Sequence, residues 1–127
     1  MTDKKRVVIA LGSNTDAETH MEQAKRLVCN GFSHVRFSSA VWTEAIGMVS
    51  GPFLNCMASA ETGMDVQSVL RLLKDIETRC GDRQYLRAES KVLMDADLLL
   101  YGSERHHRTD WDRPYIGQLY SELLQNR

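Results

Sequence analysis

The sequence predicts an α+β domain of order β-α-β-β-α-β, an antiparallel sheet with both helices on one face in the ferredoxin-like arrangement. Three observations carry this. The apolar pattern changes period several times along 127 residues. Two stretches repeat at helical spacing. The stretches between them alternate, or are continuously apolar and β-branched. The second sheet face is left without helices, so function is expected on that open face or in the loops at its rim.

The elements follow in order. Arg6 to Leu11 is a short apolar run ending at Gly12 and reads as a buried central strand. Thr15 and Glu18 have capping-box spacing, and Ala17, Met21, Ala24 and Val28 form one helical face. Gly31 stands where a C-cap glycine belongs, which gives a first helix over about 16–30. Val35, Phe37 and Val41 suggest a second strand near 33–43, although Ser39 breaks the apolar row. Ile46 to Pro52 reads as a loop. In 53–61, Leu54, Cys56, Ala58 and Ala60 face one way and Phe53, Asn55, Met57 and Ser59 the other. Asp65 caps a second helix with Val66, Val69, Leu70, Leu73 and Ile76 on one stripe, ending at Cys80-Gly81. Residues 82–91 are charged and aperiodic, an exposed loop. A last strand covers 93–101, Tyr101-Gly102-Ser103 turns, and a short terminal helix over 114–126 opens with Pro114.

Composition narrows the function classes. A hydrophobic fraction of 43% is enough to bury a core in a single domain over 1–127. Net charge is −1, without the basic excess of nucleic-acid or membrane-surface proteins. Cys29, Cys56 and Cys80 lack CxxC spacing, which argues against a disulfide framework or a zinc knuckle; Cys29 and Cys56 read as buried thiols. A reducing cytoplasm is the expected location. The polar N-terminus and its five apolar residues are too short for a signal peptide or a membrane span.

The most pointed feature is Met94-Asp95-Ala96-Asp97-Leu98-Leu99-Leu100. On a strand, Met94, Ala96, Leu98 and Leu100 share one face, and Asp95 and Asp97 project side by side from the other. Bare, the carboxylates repel and one pKa rises; a divalent cation with a preference for hard oxygen ligands relieves this. From spacing alone, two solvated aspartates on an exposed strand face are the commoner arrangement. The poor strand propensity of aspartate shifts the reading toward a site. Phe53 and Asn55 share a face, where an aromatic can stack on a flat ring and an amide can read its edge; covering the sheet edge and facing solvent are the plain alternatives. Arg83, Arg87 and Lys91 can clamp phosphate from a mobile loop, or simply be a solvated charged loop. Leu11-Gly12-Ser13-Asn14 can present backbone N–H groups to an anion but is not a P-loop. His106 and His107 lie in a polar stretch that reads as surface.

These pieces, in this order, resemble one family. Leu11-Gly12-Ser13-Asn14, Thr43-Glu44-Ala45-Ile46-Gly47, Pro52-Phe53-Leu54-Asn55, Ile76-Glu77 with Gly81, Met94 to Gly102, and a shortened Arg113-Pro114-Tyr115 to Leu123 region are similar to the motifs of the hydroxymethyldihydropterin pyrophosphokinases. The resemblance runs from about residue 6 to 124. It implies that Asp95 and Asp97 are catalytic and bridge two magnesium ions, which carry the β- and γ-phosphates of ATP. It implies that Thr43, Ile46, Phe53, Asn55 and Tyr115 bind the pterin, with Phe53 and Tyr115 sandwiching the ring. Glu77, Arg83, Arg87, Lys91 and Arg113 are then the ATP-binding set. The implied reaction is pyrophosphoryl transfer from ATP to 6-hydroxymethyl-7,8-dihydropterin in folate biosynthesis, with AMP leaving. The implied partners are these small molecules, with no nucleic acid and no membrane, and a monomer or weak dimer. The sequence departs from the family pattern where Val92 and Asp82 replace arginines. That departure keeps open a second reading, a catalytically impaired relative that binds a pterin or nucleotide in a regulatory role.

Overall fold

The computed structural model describes residues 3–44 and 51–125. The elements are β1 (Lys5–Ser13), α1 (Ala17–Gly31), β2 (Ser33–Phe37), β3 (Val41–Thr43), β4 (Phe53–Thr62), α2 (Val66–Arg79), α3 (Gln84–Ala88), β5 (Asp95–Tyr101), β6 (Glu104–Arg105), a 3-10 turn at Arg108–Asp112 and α4 (Pro114–Gln125). All strand pairs are antiparallel, in the order β2-β4-β1-β5-β6, with β3 also paired to β4. Among the described residues no helix is long and apolar enough to cross a membrane.

β1 is the central strand, as its apolar run predicts. Val7, Val8 and Ile9 are fully buried, because helices pack on both sides of it. On the first face, Val7, Ile9 and Leu11 meet Ala24 and Val28 of α1, Val69, Leu73 and Ile76 of α2, and Cys56, Ala58 and Ala60 of β4. On the second face, Ile116, Leu119 and Leu123 of α4 cover Val8, Met57, Leu99 and Leu100. That face is therefore open over only part of its width, and α4 forms one wall of what remains.

Local chemistry adjusts several expected details. The second strand divides at Ser38–Ala40. Ser38 is buried, its N–H donating to the Met57 carbonyl and its hydroxyl accepting the Met57 N–H. This crossing moves Val41 to the second face, away from Val35 and Phe37. A β-bulge at Leu99 sets Val8 against Leu100 and Ile9 against Leu98, so Leu100 packs under α4 with Leu99 and not beside Leu98. Residues 82–91 are no plain exposed loop: they hold α3, and Asp82 is buried. Thr15 does not cap α1; the N-cap is Asp16 at φ 45°, and the Thr15 hydroxyl donates to Asn14 Oδ1. Gly31 is the last helical residue, and a Cβ there would lie 2.7 Å from Leu72 Cδ2, so close α1–α2 packing explains it. Cys29 is exposed, since Val28 occupies the inward position; Cys56 and Cys80 are buried, and all three are free. Asp65 caps α2 as expected, accepting the Ser68 N–H at 2.8 Å.

Leu119 is fully buried between α4 and the sheet. Leu119→Ala is expected to cost about 2–5 kcal/mol in urea unfolding, through lost burial and a cavity. A cost near zero would show that α4 is not anchored by this face.

Candidate active site

The cleft lies where α4 stops covering the second face. Its floor is set by register. Gly12 pairs with Asn55 on one side and Asp95 on the other, and Ala10 pairs with Met57 and Asp97. Partners across an antiparallel sheet share a face, so Asn55 and the two aspartates look into one space over two small residues. A Cβ on Gly12 would stand 3.4 Å from Asn55 Oδ1 and 3.8 Å from Phe53 Cδ2, inside the cleft. Thr43, Glu44, Phe53, Asn55, Asp95, Asp97, Asp110, Arg113 and Tyr115 line it. Asn55 Nδ2 donates to Thr43 Oγ1 at 2.7 Å, which fixes the amide and ties β3 to β4.

Seven of the expected site residues thus meet in one cleft: Thr43, Phe53, Asn55, Asp95, Asp97, Arg113 and Tyr115. Ile46 lies outside the described residues. Glu77 reaches the aspartates from α2; its Oε2 accepts the Ala96 N–H at 2.9 Å. Carboxylate oxygens of Glu77, Asp95 and Asp97 lie within 4.8 Å of one another, a set that suits a hard divalent cation. Arg87 touches this set, its Nη2 donating to Asp95 Oδ1 at 3.3 Å. Arg83 and Lys91 do not join the cleft. Arg83 donates to the Thr78 and Asp82 carbonyls, and exposed Lys91 pairs with Glu89 at 3.7 Å.

Three further residues belong to the surroundings. Asp110 pairs with Arg113 at 3.3 Å and lines the cleft. His107, at φ 51°, stands between Asp97 (3.9 Å) and Asp110 (4.0 Å). Asp82 accepts Arg87 Nε at 2.6 Å and the Leu93 N–H at 3.1 Å. None has a periodic signal, because a turn and a short loop deliver them. Val92 is not among the residues that line the cleft. It is buried, with its N–H and carbonyl both bonded to Asn14.

The acids are held near one another at an electrostatic cost. Burial, then the Asp95 carboxylate, and beyond it Glu77 and Asp110, push Asp97 up to about 8. Burial also raises Glu77, with Asp95 adding, while the Ala96 N–H, Arg87 and Lys74 oppose. Burial raises Tyr115 against the pull of Arg113. At neutral pH Asp97 therefore holds a proton in the metal-free protein, and a bound cation would release it.

The pH dependence has a definite sign. Unfolded, Asp97 ionises in the ordinary carboxylate range; folded, it keeps its proton to about 8. The folded state binds the extra proton between those limits. Its contribution is full below the ordinary range and is lost as pH rises toward about 8. In buffers free of divalent ions, the melting temperature should fall over that interval, and Asp97→Asn should flatten the slope. Equal slopes in both proteins would contradict the assignment to Asp97.

Residues 8–125 match the family model described as 7,8-dihydro-6-hydroxymethylpterin-pyrophosphokinase. The "Folate synthesis bifunctional protein, mitochondrial" of Pisum sativum is 28% identical over 134 residues, covering 97% of this chain and 26% of that protein. The "Folate synthesis bifunctional protein" of Chlamydia caviae is 30% identical over 84 residues, covering 60% of this chain and 19% of that protein. The chain thus spans only about a quarter or less of these relatives' length. The family match extends over nearly the whole fold, including every element that builds the cleft. The chain belongs to the 7,8-dihydro-6-hydroxymethylpterin-pyrophosphokinase family.

Proposed function

We propose that this chain transfers the pyrophosphoryl group of ATP to 6-hydroxymethyl-7,8-dihydropterin and releases AMP. One observation carries the reading: Asn55 and Asp95 flank Gly12 on neighbouring strands, which sets a flat-ligand subsite beside an acidic one. Phe53 and Tyr115 are the ring-stacking groups, and Asn55, held by Thr43, reads the pterin edge. Ile46 completes this set in our reading. Asp95 and Asp97 would hold two magnesium ions, whose charge would neutralise the phosphate oxygens and polarise the β-phosphorus. Glu77 supports them from behind, and Arg87 and Arg113 are the cations available to the triphosphate.

The reaction asks the protein for positioning and charge compensation. The pterin hydroxymethyl oxygen forms a bond to the β-phosphorus and loses its proton. The bond from that phosphorus to the α-phosphate oxygen breaks, and AMP departs. Three free thiols fit a reducing cytoplasmic setting, and we propose a monomer or weak dimer. A second reading, a pterin or nucleotide binder without turnover, draws on one observation: Arg83 and Lys91, engaged by the Thr78 and Asp82 carbonyls and by Glu89, do not line the cleft.

AMP formation from ATP, magnesium and the pterin should be measurable with purified protein. Asp95→Ala and Asp97→Ala are each expected to lower kcat by about 10³-fold, a typical loss for groups that stabilise developing charge. Full turnover in both variants would rule out the proposed metal bridge. Asn55→Ala should raise KM for the pterin more than it lowers kcat. Pterin binding that raises Tm without AMP release would favour the second reading.

A further inference from the structure

Arg87 projects from α3 onto three carboxylates. Its Nε donates to Asp82 Oδ2 at 2.6 Å. Its Nη2 donates to Asp95 Oδ1 at 3.3 Å and to the Met94 carbonyl at 3.1 Å, and stands 3.7 Å from Glu77 Oε2. Asp95 and Glu77 belong to the acidic set with Asp97, whereas Asp82 does not. The Asp82 side chain is 6% exposed, and its second oxygen accepts the Leu93 N–H. Asp82 is therefore fixed through both oxygens, and the cation it holds faces the acidic set from one side. The order of strength follows: the 2.6 Å bond to a buried carboxylate is short and charge-assisted, and the 3.3 Å bond to half-exposed Asp95 is longer and more easily exchanged.

A cation already on Asp95 opposes the arrival of another. At about 4 Å, one pair of unit charges changes an equilibrium roughly fivefold even in water, and more where solvent is partly excluded. A divalent ion feels twice that energy, which squares the factor to about 25.

We propose that Arg87 is a built-in counter-cation of the acidic set, displaced from Asp95 when a divalent ion binds, and that Asp82 is the tether that keeps it in reach. This rests on the metal-binding reading of Asp95 and Asp97 and extends it: the chain's metal affinity is set by competition with its own side chain. The exchange replaces one positive charge on the set by two. When Nη2 leaves Asp95, the Nε–Asp82 bond persists, and the freed edge of the guanidinium remains beside the cleft. There it can meet the anionic group that arrives with the metal. Arg87 is thus a positioning residue in both states, and α3 is the element that carries it.

The test is a titration of the full chain with Mn2+ alone, without nucleotide or pterin, reading free ion by electron paramagnetic resonance. Arg87→Gln should bind Mn2+ about 25-fold more tightly than wild type. Arg87→Lys should bind about threefold more tightly, because one ammonium can serve buried Asp82 but not Asp95 as well. It also retains a partner for Asp82, so the result does not depend on Arg87→Gln folding. Arg79→Gln makes the same change in net charge on an exposed α2 residue paired with Asp75, and should bind like wild type. If wild type binds Mn2+ and neither Arg87 variant binds more tightly, or Arg79→Gln tightens as much, the inference is overturned and the metal reading stands. No Mn2+ binding by any of the four proteins overturns both.

Discussion

The register that clamps β1 between β4 and β5 is the constraint on which the site depends. Gly12 meets Asn55 on one edge and Asp95 on the other, and Ala10 meets Met57 and Asp97. Side chains alternate strictly along a strand, so a slip of one residue in either pairing would turn Asn55 or the aspartates into the core. The bulge at Leu99 respects this limit. It lies beyond Asp97, so it turns Leu100 under α4 beside Leu99 without disturbing the acidic face. The same strand thus serves chemistry at its start and packing at its end.

α4 turns a flat sheet face into a cleft. Ile116, Leu119 and Leu123 supply the burial that holds it down, and Glu122 pins it by accepting from the Ser39 N–H and hydroxyl at 2.7 and 2.8 Å. Its start then delivers Tyr115, with Arg113 just before it, to the cleft shared with Phe53 and Asn55. Three carboxylates sharing one small volume oppose folding. The opposition is reduced by the Ala96 N–H on Glu77, by the proton retained on Asp97, and by Arg87. A site that is electrostatically unfavourable when empty of cations is one in which a bound cation has a large effect. Asp82 takes part in the same balance. As a buried acid, it recruits Arg87 to the edge of the site.

Much of this was legible in the sequence. The β-α-β-β-α-β order, the opposed faces of β4 and the projection of Asp95 and Asp97 from one face follow from periodicity, which depends only on neighbours along the chain. The Asp65 cap and the end of α2 at Cys80-Gly81 are also local, and both are found. Features that depend on distant partners were not legible. Thr15 has capping-box spacing, but its hydroxyl bonds to Asn14, whose side chain reaches Ser90 and Val92. Cys29 has apolar neighbours, yet the helix turns it to solvent. The charges of residues 82–91 suggest an exposed loop, but Asp82 is buried because Arg87 and the Leu93 N–H satisfy it.

The sequence by itself determined the strand and helix periods, and with them the faces on which Phe53, Asn55, Asp95 and Asp97 stand. Only the tertiary structure decided which cations reach the acids. Arg87 does so, while Arg83 bonds backbone carbonyls and Lys91 pairs with Glu89. The physical reason is range. A side chain's face is set by backbone geometry over two to four residues, whereas the partner of a long flexible cation is chosen by carboxylates and carbonyls that the fold brings together from elsewhere.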